Sequence, residues 1–251
     1  VEQLVAGHAV TTSSEPNPVP EPGSLDAERA TQAQIVDTAA LWLDRHGDSP
    51  QGVMWTRPEQ APIRYRMMLD LLQLDRLRDP HAPTGRPEVL DFGCGLGHLY
   101  EFLEQHAAPE IHYTGLDVSA AHLELARRKH PDVDFIRLDV LAHDGPLPEF
   151  DYVLLNGVLT WKNEASHEQM WAYARRLLTR VFPMARRAIA FNVMTTHLDW
   201  ERDDLFHLAF DEVAAFLRAE LTPHFLLRQD YGLFDYTVYA FRDPVVVSDT
   251  P

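Results

Sequence analysis

The stretch "EVLDFGCGLGHLYEFLE", Glu88 to Glu104, decides how this chain is read. An apolar run closes on Asp91 and Phe92, three glycines fall within five positions, and a run with helical spacing follows. That pattern is a strand, a tight loop and a helix. Glycine lets backbone approach a ligand closely and tolerates positive φ, so Gly93, Gly95 and Gly97 form a loop suited to holding something. A dinucleotide fingerprint, G-x-G-x-x-G, wants glycine at position 98, where this chain has His98. A phosphate-binding P-loop wants a Lys-Ser/Thr pair, which is also missing. Asp91, two residues before the first glycine, would sit badly against pyrophosphate and suits a ligand with an ammonium group.

Downstream, the β-like runs "IHYTGLDV", "VDFIRLDV", "FDYVLLNG" and "RAIAFNVMT" alternate with crossovers, of which "LAHDGPLPE" is only a short linker. The long helix lies around "HEQMWAYARRLLTRVF". This alternation predicts α/β architecture with a parallel sheet covered by helices on both faces. A further helix is expected from Asp211 to Leu221, and "HFLLRQDYGLFDYTVYAFRD" reads as a closing hairpin. Three successive strands end in acids: Asp91, Asp117 and Asp139. Open α/β sheets bind ligands at that carboxyl edge. Asp117 sits where a nucleotide site places the acid that accepts from the ribose hydroxyls; capping the next helix is its plainer role, which Ser119 could also fill. Asp139 can accept an adenine amino group while Val140 and Leu141 cover the ring, although strand-end Asp is also common in turns.

Upstream, residues 1–23 are rich in Pro, Ser and Glu and are read as a flexible arm. Helical spacing runs from Asp26 to His46, breaks at "GDSPQGVMW", and resumes toward Asp79. Thr56 and Glu59 have capping-box spacing, with Pro62 blurring the start. Residues 24–84 are therefore expected to form a helical cap, 85–243 the main domain and 244–251 a tail. Bulk composition is that of an ordinary globular protein, with 45% apolar and 24% charged residues. The formal charge of −16 disfavours phosphate backbones, so nucleic acid is not an expected partner. No membrane span or export signal is recognisable. Cys94 is the only cysteine, which fits a reducing cytoplasm.

Taken together, "VLDFGCGLG", "YTGLDVS", "FIRLDV" and "FDYVLLNGVL" resemble the motifs of class I S-adenosylmethionine-dependent methyltransferases over about residues 85–242. The resemblance implies a Rossmann-like, mostly parallel seven-stranded sheet with a reversed last strand, and S-adenosylmethionine as cofactor. "GVMW", "RYRMMLDLL" and "DYGLFDYTVYAF" are similar to a bacterial small-molecule subgroup. Carried over residue by residue, Gly93, Gly95 and Gly97 would cradle the methionine portion, Asp117 the ribose and Asp139 the adenine. Asn156 would lie near the sulfonium, and Arg64 would meet the cofactor carboxylate, with a surface ion pair as its alternative. Cys94 and Val118 join this set as neighbours of the binding residues. Cys94 is otherwise a small residue the turn tolerates, and His98 either faces the donor or lies on the helix surface.

Trp55 and Trp161 offer aromatic faces to a sulfonium, or pack in the core. "NVMTTHLDWERDDLFHLAFDE" is long for a strand-to-helix link and is read as a substrate loop carrying Trp200 and His207. Its His pair lacks metal-ligand spacing, so no metal is expected. His197, Asp199 and Tyr231 are unranked candidates for a general base, needed only if the acceptor arrives protonated. Asn156-Gly157-Val158-Leu159 stands where adenine-methylating enzymes often carry Asn/Asp-Pro-Pro-aromatic. The expected acceptor is thus a small molecule, methylated on oxygen or nitrogen, such as a sugar or secondary metabolite. A homodimer is left open. The competing readings are a non-catalytic cofactor-binding or interaction module and an NAD-dependent oxidoreductase.

Overall fold

A computed structural model describes residues 24–79, 85–106, 110–200 and 202–246. The expected arm and the tail beyond Val246 lie outside the described residues. In chain order the elements are α1 (Leu25–His46), α2 (Ala61–Arg78), β1 (Glu88–Phe92), α3 (His98–Gln105), β2 (His112–Asp117), α4 (Ala120–Lys129) and β3 (Asp134–Arg137). There follow β4 (Phe150–Leu155), α5 (His167–Val181), β5 (Ala185–Thr195), β6 (His207–Leu208), α6 (Phe210–Phe216), β7 (Phe225–Arg228) and β8 (Asp235–Phe241). The sheet runs β3-β2-β1-β4-β5-β8-β7, parallel except for β8, which pairs antiparallel with both β5 and β7. The strand order reverses between β1 and β4, and the glycine loop leaves β1 at that switch point.

Seven strands and a reversed one match the expectation, but β6 is an addition. Strand β5 spans 11 residues and runs past β4, whose pairing with it ends at Phe191. The overhanging edge at Met194 and Thr195 is free to accept His207 and Leu208 in parallel. Two residues are too short a run to show periodicity.

Alternation along β1 builds both cores. Val89 enters a cluster with Met68, Leu72, Leu99 and Phe102 from α2 and α3. Leu90 enters the other, with Leu177 and Leu178 of α5 and Val213 and Phe216 of α6. Helix α2 therefore belongs to the sheet's own helical layer, and the expected cap over 24–84 divides in two. Only α1 with the following loop lies at the carboxyl edge, tied to α5 by Glu28 and Arg176 at 2.6 Å.

The expected Thr56–Glu59 capping box does not form. A short 3-10 turn occupies Pro58–Gln60, and α2 begins at Ala61 without a side-chain cap. Pro62, in the first turn, lacks the N–H that a cap would have to satisfy. Ser119 does cap α4, accepting from the His122 N–H, and Ser166 with Gln169 forms a full capping box on α5.

Candidate active site

The carboxyl ends of β1, β2, the β3 loop and β4 surround a cavity of about 170 Å³. Gly93, Gly95, Asp117, Val118, Asp139, Val140 and Asn156 all border it, with Ile35 and Val36 of α1 facing them. Gly93 has φ +72, and a Cβ there would stand 2.7 Å from a Val158 methyl, so only glycine fits. Asp117 is fixed twice: one oxygen accepts from Gly95 N–H at 2.9 Å and the other from Ser119 N–H at 2.8 Å. It thus ties the glycine loop to the end of β2. Asp139 accepts from the N–H groups of Leu141 and Ala142 through one oxygen, the turn role that strand-end Asp often takes.

A smaller cavity of about 70 Å³ continues past the loop, bordered by Trp55, Tyr65, Asp91, Cys94 and Asn156. Asp91 is only 4% exposed and has one side-chain partner, the Tyr113 hydroxyl, which donates at 2.8 Å. Burial raises its carboxyl to about pH 7; the Tyr113 hydroxyl opposes the shift and Asp117 adds to it. Asn156 Oδ1 is buried without a hydrogen-bond partner. A buried carboxylate and an orphaned amide oxygen bordering one space call for a cationic donor. Neither cavity is bordered by a Lys or Arg among the described residues, so nothing there would neutralise a pyrophosphate. Gly97 borders neither; at φ +79 it sits at the start of α3. His98 does border the smaller cavity, but its ring is also held at 3.3 Å from Asp48.

A third cavity, about 390 Å³, opens on the other side of Trp55. Trp161 and Trp200 border it, as does Arg64. The wall is closed where Trp161 bridges Leu205 and Phe206 N–H donates to Thr160 at 2.8 Å. Arg64 is neither a surface ion pair nor a free fork. It is buried, and Asp235 takes Nε at 3.0 Å and Nη2 at 2.9 Å. Its guanidinium stands 4.8 Å over the Trp55 ring, so one aromatic face of Trp55 already has a cation. Asp235 also accepts from Asn192, which accepts in turn from Gly157 N–H. This chain joins α2 and β8 to the loop after β4.

The three candidate bases are elsewhere. His197 and Asp199 are exposed, with the His197 ring against Phe210. Tyr231 is bonded to Thr237 at 3.0 Å. None of the three borders any of these cavities. His207 is buried: Nδ1 lies 2.8 Å from the Thr195 carbonyl, and Nε2 has no partner. Its ring meets Trp200 edge-on from outside the cavity. The sequence reading passed over Arg57, Gln60 and Phe234 at the third cavity, because Arg57 and Gln60 lie in a short turn far along the chain from Phe234 and the three share no motif. Among the described residues no group of three potential metal ligands comes together, and no helix is long and apolar enough to cross a membrane.

Residues 89–180 match the family described as a methyltransferase domain. Over that span the chain is similar to a methyltransferase domain. A trans-aconitate 2-methyltransferase of Rhodopseudomonas palustris (strain BisB18) is 36% identical over 107 residues, 42% of this chain. The match spans 39% of that relative's length. The domain also resembles a plantazolicin methyltransferase solved with a substrate analogue and S-adenosylhomocysteine, at TM-score 0.59 and 13% identity, covering 86% of this chain and 97% of the other. A 1,6-didemethyltoxoflavin-N1-methyltransferase of Burkholderia thailandensis gives TM-score 0.51 at 18% identity, covering 93% of this chain and 97% of the other. The two structural likenesses are likenesses of fold.

Proposed function

We propose that the protein transfers a methyl group from S-adenosylmethionine to an oxygen or nitrogen of a small-molecule acceptor, of the sugar or secondary-metabolite kind. The observation that carries this reading is the pair Asp91 and Asn156: a buried carboxylate and an unpartnered amide oxygen bordering a cavity that no described Lys or Arg lines. That donor set fits an amino-acid ammonium and rejects a phosphate. On this reading Asp91 and Asn156 hold the ammonium, Asp117 the ribose, and Asp139 with Val140 and Ile35 the adenine.

The bound cofactor supplies an electrophilic methyl on a sulfonium with a neutral leaving group. The chain's own part is orientation, which can be worth about 7–11 kcal/mol. Trp55 borders both the methionine-side cavity and the larger one, so the two spaces adjoin at its ring. The larger cavity is then the acceptor site, with Trp161 and Trp200 as walls. Exclusion of water falls to Trp55 and the loop pair closed at Trp161 and Leu205.

Calorimetry with S-adenosylhomocysteine and NAD tests the reading. S-adenosylhomocysteine is expected to bind and Asp117→Ala to weaken it about tenfold or more. Binding of NAD in its place, or unchanged affinity in Asp117→Ala, would overturn it.

A further inference from the structure

Among the described residues that line the acceptor cavity, none is able to take a proton. Its described lining is Met, Trp, Thr, Arg, Gln, Leu and Phe, with no Asp, Glu, His, Lys, Tyr or Cys. The same lining carries three arginines, in a chain of formal charge −16. Arg64 is paired with Asp235 through Nε and Nη2, and Arg202 is paired with Asp204 at 2.5 Å while lying over Trp161. Arg57 has no ion pair among the described residues; its guanidinium stands 5.8 Å over the Phe234 ring at the exposed mouth. An unpaired, always-charged fork beside flat aromatic walls recognises a planar anion. An acceptor that meets no base must reach the site with its reacting lone pair already free, and beside an unpaired arginine an anion is favoured. A carboxylate satisfies both conditions, since it is ionised well below neutral pH.

We infer, resting on the methyl-transfer reading above, that the acceptor is a planar aromatic or conjugated carboxylic acid and that the product is its methyl ester. Arg57 pairs with one carboxylate oxygen. The other oxygen's lone pair forms the bond to the methyl carbon as the S–CH₃ bond breaks, its electrons returning to sulfur. The carboxylate and sulfonium charges cancel, giving a neutral ester and a neutral thioether. No proton moves, and Arg57 loses its anionic partner, which favours release.

Two measurements test this. In the first, 4-fluorobenzoate and 4-fluorobenzamide are titrated against protein saturated with S-adenosylhomocysteine, followed by fluorine NMR. The acid is expected to bind, the amide to bind at least about tenfold more weakly, and Arg57→Met to remove the difference, a loss of about ten- to a hundredfold for the acid. Equal binding of acid and amide, or an acid affinity indifferent to Arg57→Met, overturns the proposal.

In the second, methyl-labelled S-adenosylmethionine is incubated with a panel of aromatic and conjugated acids and their alcohol and amine counterparts. The label is expected only with acids and is released as methanol by mild base. At saturating donor the rate stays level between about pH 6 and 9, since no protein group is titrated in the step. Base-stable product, product from alcohols or amines, or no product from any acid overturns it. Glu201, outside the described residues, is the control: Glu201→Gln keeps the rate, and its loss would show a base the proposal denies. If S-adenosylhomocysteine fails to bind at all, the methyl-transfer reading fails, and neither measurement is the cause.

Discussion

On the proposed reading, Asp91 is the residue on which cofactor binding turns. Burial lifts its carboxyl to about pH 7, so near neutrality the free protein holds it partly protonated. An ammonium ligand requires the ionised form. S-adenosylhomocysteine should therefore bind more tightly as pH rises from about 6 to 8, with proton release on binding measurable by calorimetry in buffers of different ionisation enthalpy. A flat profile would remove Asp91 from the site. Stability has the opposite sign. Between the ordinary carboxyl value of 3.8 and the folded value of about 7, the folded chain binds more protons than the unfolded one. Stability from this group is present below that window and falls as pH rises through it. Asp91→Asn is accordingly expected to unfold at higher temperature than the parent at pH 8 while losing about ten- to a hundredfold in S-adenosylhomocysteine affinity. That Gly93, Gly95, Asp117 and Asp139 border one cavity was legible because their spacing along β1, β2 and the β3 loop is local. Arg64 was not: its partner lies 171 residues away, and no local pattern announces a buried pair at that distance. His197 and Asp199 drew notice for chemical type alone, and type carries no direction.

At the scale of elements, the Arg64–Asp235 pair fastens α2 to β8. Both side chains are nearly dry, at 10% and 2% exposure. Arg64→Met leaves Asp235 buried without its cation and is expected to cost about 3–5 kcal/mol in urea unfolding. Adding Asp235→Asn should recover at least half of that, because the unpaired charge is gone while Asn192 keeps a neighbour. If the double variant is no better than the single one, the pair is not what holds the two elements. Gly157 is a second joint. It has φ +79, and a Cβ would stand 3.0 Å from Trp55 Cζ2. Gly157→Ala should destabilise by about 1–2 kcal/mol and blue- or red-shift Trp55 fluorescence, isolated in a background lacking the other tryptophans. The strand–helix alternation behind these elements could be read from periods of 2 and 3.6 residues. What periodicity could not show was partition. Helix α2 has apolar residues around much of its circumference, so its pattern does not say whether it covers the sheet face or the ligand edge. Packing of Met68 and Leu72 against Val89 decides it.

At the scale of the whole molecule, α1 is set apart from the other helices. It reaches across the carboxyl edge and lends Gln32, Ile35, Val36 and Ala39 to the cavity bordered by Asp117 and Asp139. A ligand there should slow hydrogen exchange in α1 about tenfold or more while leaving α2, buried against the sheet, unchanged. Equal protection of both helices would mean that α1 is no part of the binding surface. The sheet also has an order of assembly built into its wiring. β8 follows β7 in the chain but inserts between β7 and β5. As the polypeptide emerges from the ribosome, β5 has a bare edge until β8 appears, and Arg64 waits for Asp235. A nascent chain stalled in that interval exposes one edge of β5 from Ile189 to Val193, apolar except at Asn192, without its β8 partner. The final pairing, which brings Asp235 to Arg64, is thus also the step at which newly made chains are most exposed to aggregation.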